Sequence, residues 1–168
     1  GCGKTLLGQQ LSRELGDARY RIALINYPLL SHVEFLLAIA KSLGADNLPT
    51  KKSDVLVNLV LDSLNSVLLN NARDGKDSVV FIEEAHVISD DQIFESLRLL
   101  LNFQLPDRFL LTLILSGQPE LREKLEINKQ LSQRIAIKCH LTNLDSKNTV
   151  DYIIHRLKIA GRDEPIFT

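Results

Sequence analysis

The chain opens on Gly1-Cys2-Gly3-Lys4-Thr5, and these five residues constrain its fold more than any other stretch. They match the second half of a phosphate-binding loop, G-x-x-x-x-G-K-[ST], with Gly3, Lys4 and Thr5 in its last three places. Gly3 lets backbone approach a phosphate without a side chain in the way. Lys4 is suited to neutralise the β- and γ-phosphates, and the Thr5 hydroxyl to hold Mg²⁺. Such a loop joins a buried parallel strand to a helix, so it commits the chain to an α/β architecture. The helix aims its free N–H groups and positive dipole end at the same anion. Leu7, Leu11 and Leu15 recur every four residues and are expected to form its inward face, with Gly16-Asp17 as its stop. The strand before the loop does not lie in these residues. The sequence is therefore read as a piece of a longer protein, lacking a central N-terminal strand of its sheet.

Downstream, apolar strands alternate with amphipathic helices. Tyr20 to Ile25 reads as a strand, followed by an Asn26-Tyr27-Pro28 turn. Ser31-x-x-Glu34 is a capping box that opens a helix bearing Phe35, Leu36, Ile39 and Leu43, and Gly44 ends it. A second helix is predicted from Ser53 to Asn70, then a polar loop through Lys76. Val79-Val80-Phe81-Ile82 is a continuous apolar run, the pattern of a strand buried on both faces. Ser89-x-x-Gln92 is expected to cap the next helix, and Leu110 to Leu115 to form another buried strand. Ile135 to Leu141 reads as a last, more exposed strand, and Asp145 to Ala160 as a helix stopped by Gly161. This alternation predicts a three-layer α/β fold: a parallel sheet with helices on both faces and right-handed crossovers. Ligands of such sheets bind at the carboxyl ends of the strands.

Composition narrows the function classes. The 168 residues suit one ordinary domain, with room for the start of another. Twenty basic and 21 acidic residues give a net charge of -1, which is no footprint for nucleic acid. No apolar run approaches a membrane span. Cys2 and Cys139 have no metal-ligand spacing and suggest no disulfide framework, in keeping with a reducing cytosol.

Glu83-Glu84 follows the apolar run Val79–Ile82 directly, about 80 residues after the phosphate loop, which is the pattern of a Walker B motif. A strand end holds such carboxylates rigidly beside the phosphates. Glu83 is then the metal-side acid, and Glu84 polarises the attacking water for in-line attack on the γ-phosphate. The first acid of this motif is usually aspartate. Glutamate pushes the carboxylate ~1.5 Å further out, one C–C bond. The bland reading of His86 is a residue at a helix start or in packing.

Ser116-Gly117-Gln118-Pro119-Glu120 follows the strand Leu110 to Leu115. A polar residue at this strand end is suited to sense the γ-phosphate or place the water, and either Ser116 or Gln118 can do so. Pro119 is equally natural at the first position of a helix. Gln133-Arg134-Ile135 places Arg134 at the predicted start of the last strand. On a subunit edge it can reach a neighbour's γ-phosphate and stabilise charge in the transition state. As an ordinary surface arginine it would simply favour a helix end.

The ordered set G-C-G-K-T, V-V-F-I-E-E-A-H, I-L-S-G-Q-P-E-L-R and L-S-Q-R-I, followed by Y-I-I-H-R-L-K-I-A-G, resembles the AAA+ ATPases of the general secretion pathway protein A type. These group with origin-recognition-like and transposition-helper ATPases. Glu83-Glu84-Ala85-His86 also resembles the box of DEAH helicases, but the second domain and further motifs of those enzymes are not in the chain. The AAA+ resemblance implies a five-stranded P-loop NTPase core over residues 1–143, then the start of a truncated helical lid over 144–168. It implies ATP and Mg²⁺ as ligands, with Gly1, Cys2, Gly3, Lys4, Thr5 and Leu6 on the nucleotide and Thr5 and Glu83 on the metal. It also implies catalytic roles for Glu84, Arg134, Ser116 and Gln118, and an ATP-dependent homo-oligomer. The expected function is ATP hydrolysis that energises a bacterial secretion or pilus system. The location is cytoplasmic, with any attachment to the inner membrane or envelope partners made through parts outside this chain. Two alternatives stand beside it: a DNA-linked helper ATPase, against which the balanced charge weighs, and a weakly hydrolysing nucleotide-dependent scaffold.

Overall fold

A computed structural model describes residues 3–46, 48 and 57–162, apart from the side chain of Asp17. Gly1, Cys2, the predicted helix start at Ser53 and the last residues of the chain lie outside them. Three parallel strands, β1 (Tyr20–Ile25), β2 (Asp77–Ile82) and β3 (Leu111–Leu115), form one sheet in the order β1-β2-β3. Ile25, Ile82 and Leu115 stand side by side at its carboxyl edge. The helices are α1 (Lys4–Arg19), α2 (His32–Leu43), α3 (Val57–Arg73), α4 (Asp91–Leu100), α5 (Glu120–Ile127), α6 (Lys129–Ser132) and α7 (Ser146–Ile159). By contacts the chain divides into a large unit, Thr5–Ile137, and a smaller one from Lys138 onward that also takes in Gly3 and Lys4.

The central strand is buried because both of its faces are covered. Alternate residues of a strand point to opposite sides. Val80 and Ile82 join the core built by Phe35, Leu36 and Ile39 of α2, Leu64 and Leu68 of α3 and Leu97 of α4. Phe81 and Glu83 face the other way, towards Gly8 of α1. A polar tie secures the first layer: the Asn71 amide of α3 donates to the Leu43 carbonyl at 3.3 Å and to Ser78 Oγ at 3.1 Å.

Local signals are met where chemistry fixes them. Ser31 and Glu34 close the capping box of α2, with the Ser31 N–H donating to Glu34 Oε2 at 3.0 Å. Gly16, at φ 62° and ψ 153°, breaks the helical backbone of α1 where the sequence predicts its stop. Asp145 caps α7 by accepting from the Asn148 N–H at 2.7 Å.

Several expectations are corrected. Ile135 to Leu141 is not a strand, and no ladder partner lies beside it among the described residues; β-propensity makes a strand only where a neighbouring edge supplies hydrogen bonds. Of the five strands implied by the resemblance, the central one is expected before Gly1, and three lie among the described residues. The inward residue near the start of α1 is Gly8, while Leu7 is exposed and Leu11 and Leu15 are half-buried, because the helix lies tight against Phe81 and Glu83. The cap of α4 is Asp90 rather than Ser89, with Asp90 Oδ1 accepting from the Gln92 N–H at 2.9 Å. The polar stretch Asn70 to Arg73 stays helical, held by the buried Asn71.

The smaller unit contains α7, whose described side chains include none that is buried; Val150, Tyr152 and Ile159 are all exposed.

Candidate functional site

The carboxyl ends of β2 and β3 bring the two acids and the Ser116–Gln118 turn together. Glu83 extends the ladder, its N–H donating to the Ile25 carbonyl at 2.8 Å. Its side chain is buried, 6% exposed, and Oε1 has no hydrogen-bond partner among the described residues. A buried carboxylate oxygen without a donor carries a desolvation cost, and such an atom calls for an explanation such as an ion or water.

The chain then turns sharply. Glu84 has φ 50° and ψ 34°, and it is the non-glycine residue with positive φ among those described. That left-handed backbone starts a short 3₁₀ turn, Ala85–Val87, and swings the half-buried Glu84 side chain off the strand direction. Three hydrogen bonds tie this turn to the one after β3. Ser116 N–H donates to the Ile82 carbonyl at 2.9 Å, Ala85 N–H donates to the Ser116 carbonyl at 2.9 Å, and Gln118 N–H reaches His86 Nδ1 at 3.5 Å. The same His86 nitrogen lies 3.5 Å from Glu84 Oε2. His86 is thus more than a packing residue at a helix start: it touches both the acid and the neighbouring turn.

From the other face, α1 approaches Glu83. A Cβ placed on Gly8 would lie 2.7 Å from Glu83 Oε1. Thr5 precedes Gly8 by three positions on the same helix, so the two are neighbours on its surface. Gly3 has φ 82°, a backbone suited to a glycine loop, and Lys4 begins α1; both group with the smaller unit. Leu6 is exposed. Gly1 and Cys2 lie outside the described residues.

Arg134 is elsewhere in character. It follows α6, with its N–H donating to the Leu131 carbonyl at 3.0 Å, and it is exposed. Its position is a helix end rather than the predicted strand start. Gly8 is the residue that sequence reading passed over. The available signal was a glycine in the middle of a helical pattern, which usually marks close packing.

The donor set fits Mg²⁺. That ion keeps several waters and takes only one or two carboxylates beside substrate phosphates, so it needs no all-protein cage. No group of three or more His, Cys, Asp or Glu that could hold a metal occurs among the described residues. The unpartnered Oε1 of Glu83 is the atom a hydrated cation would satisfy.

Comparison with known proteins shows the family and the fold. Residues 1–125 match the family described as AAA domain. General secretion pathway protein A of Aeromonas hydrophila is 37% identical over 171 aligned residues, covering 100% of this chain and 30% of that protein. The chain thus spans less than a third of that relative's length. Two structures of the Aeropyrum pernix ORC2 protein share the fold. The ADPNP–ADP complexes give a TM-score of 0.70 at 18% identity, over 95% of this chain and 43% of the other. The ADP form gives 0.68 at 19% identity, with the same coverage. No described helix is long and apolar enough to cross a membrane. With the family matched over most of its length, the chain belongs to the AAA-domain family.

Proposed function

We propose that this chain is the nucleotide-binding core of an AAA+ ATPase that binds and hydrolyses ATP with Mg²⁺ and works as an ATP-dependent homo-oligomer. The observation that carries the reading is Glu83: a buried carboxylate with an unpartnered oxygen, set against the helix that carries Thr5. Lys4 pairs with the β- and γ-phosphates, and the backbone N–H groups of residues 1–6 wrap them. Mg²⁺, when bound with the nucleotide, neutralises charge on the phosphate oxygens. Thr5 and Glu83 hold its side of the site. Glu84 orients and deprotonates the attacking water, while Ser116 or Gln118 places it against the γ-phosphate. Arg134, exposed at a helix end, stabilises the transition-state charge at a neighbour's site.

The kinship with general secretion pathway protein A over the whole chain supports a biological reading: hydrolysis energises a bacterial envelope secretion or pilus system from the cytoplasmic side of the inner membrane. The net charge of -1 and the absence of a basic stripe favour this over a DNA-linked helper.

Calorimetric titration of Mg·ATP into the wild type and Lys4→Ala tests the nucleotide assignment. Loss of a charged partner is expected to cost at least about tenfold in affinity. Equal affinities would overturn the assignment. Binding to duplex DNA that weakens with salt would instead favour the helper class.

A further inference from the structure

Gly8 occupies the interior of α1 without a backbone reason to be glycine, because its φ is not in the left-handed range. A mid-helix glycine is disfavoured relative to alanine. Space explains it. A Cβ there would lie 2.7 Å from Glu83 Oε1 and 3.0 Å from two ring atoms of Phe81. Phe81 near the end of β2 and Glu83 just beyond it are both buried, so neither has open solvent to retreat into. Of the two, the end of the Glu83 side chain is the freer to move. An added methyl would therefore displace the carboxylate rather than the strand.

We propose that Gly8 is a positioning residue for the metal-side acid: its bare helix surface is the seat that lets a glutamate serve where the motif usually has the shorter aspartate. Aspartate at this position would stop ~1.5 Å short, one C–C bond, and leave the seat empty. The orphaned Oε1 fits the same account. The bare surface of Gly8 gives it close contact and no donor, so among the described residues the oxygen has no hydrogen-bond partner that would compete with a cation. Gly8 and Glu83 form a matched pair, and the consequence of changing one depends on the other. This inference rests on the Mg·ATP reading of the site.

Four proteins test it: the wild type, Gly8→Ala, Glu83→Asp and the double variant. ATP affinity is measured by calorimetry in Mg²⁺ and in EDTA, and melting temperature is measured without nucleotide. In the Glu83 background, Gly8→Ala is expected to cut the Mg²⁺-dependent gain in affinity at least about tenfold, as loss of a second-layer support does. Affinity in EDTA should stay within about twofold. In the Glu83→Asp background the same alanine should change the Mg²⁺ gain by no more than about twofold, the scatter of independent sites. Melting adds a readout that needs no ligand: alanine should stabilise the Glu83→Asp protein, through its helix preference and the filled void, and should not stabilise the wild type. An alanine effect of equal size in both backgrounds would overturn the pairing. Coupling in melting with an unchanged Mg²⁺ gain would reduce Gly8 to packing and overturn the positioning role. A wild type with no Mg²⁺-dependent ATP binding would overturn the nucleotide reading itself, which a normal wild type with unaltered variants would leave standing.

Discussion

His86 Nδ1 lies 3.5 Å from Glu84 Oε2 and 3.5 Å from the Gln118 N–H, so one ring nitrogen serves two neighbours. It accepts from Gln118 when unprotonated and donates to Glu84 when protonated, and it cannot do both at once. Both contacts are long, so each is worth little alone. The ring thus holds either the turn after β3, as acceptor, or the Glu84 carboxylate, as donor. His86→Ala is expected to lower turnover several-fold, on the scale of one lost net hydrogen bond of about 1 kcal/mol, with Mg·ATP affinity nearly unchanged. His86→Asn, which keeps a polar atom near the Nδ1 position, should recover most of the loss. Steady-state kinetics of the three proteins reads this, and a fall in affinity at constant turnover would contradict it.

Glu84 carries a backbone strain. At φ 50° and ψ 34° a non-glycine residue costs about 1 kcal/mol or more. Asparagine tolerates this region better than glutamate. Glu84→Asn is therefore expected to raise stability by up to about 1 kcal/mol, equivalent to ~2–4 °C in melting temperature for a chain of this size. The same variant should lose hydrolysis. Scanning calorimetry would contradict this by finding Glu84→Asn less stable than the wild type.

Asn71 is buried and donates to the Leu43 carbonyl and to Ser78 Oγ, tying α2, α3 and β2 together. Asn71→Leu removes the amide and leaves both acceptors buried without it. A loss of about 1–3 kcal/mol is expected in urea unfolding. A stability change under about 0.5 kcal/mol, the range of ordinary surface changes, would show the tie to be dispensable.

Arg134 is exposed, as a residue that serves a neighbour's site would be. Mixing Arg134→Ala subunits with Glu84→Gln subunits should restore some hydrolysis, because mixed interfaces pair an intact Arg134 with an intact Glu84. Light scattering first checks that the two variants co-assemble. Co-assembly without any recovery would leave Arg134 a structural or same-subunit residue.

What the sequence made legible was whatever is written in local chemistry. The capping box of Ser31 and Glu34, the break at Gly16 and the apolar run ending at Glu83 each depend on a few neighbouring residues, and each is where the sequence places it. What it hid depends on partners distant in the chain. Ile135 to Leu141 has strand-like residues but no neighbouring edge among those described. The face of α1 was misassigned because leucine spacing pointed one way, while the close approach of Phe81 and Glu83 turned Gly8 inward. The contact of His86 with Gln118 joins residues 32 positions apart, and no motif records it. The cap at Asp90 rather than Ser89 is a one-residue ambiguity between two good capping types.

The most direct test of the account is single-turnover ATP hydrolysis by Glu84→Gln, run beside equilibrium binding of Mg·ATP to the same protein. The substitution keeps size and hydrogen bonding and removes the carboxylate. Binding is expected within about threefold of the wild type and hydrolysis slower by at least ~10²-fold, the lower range for a positioned acid–base group. Hydrolysis at the wild-type rate would contradict it, since Glu84 would then not be the residue that activates the water.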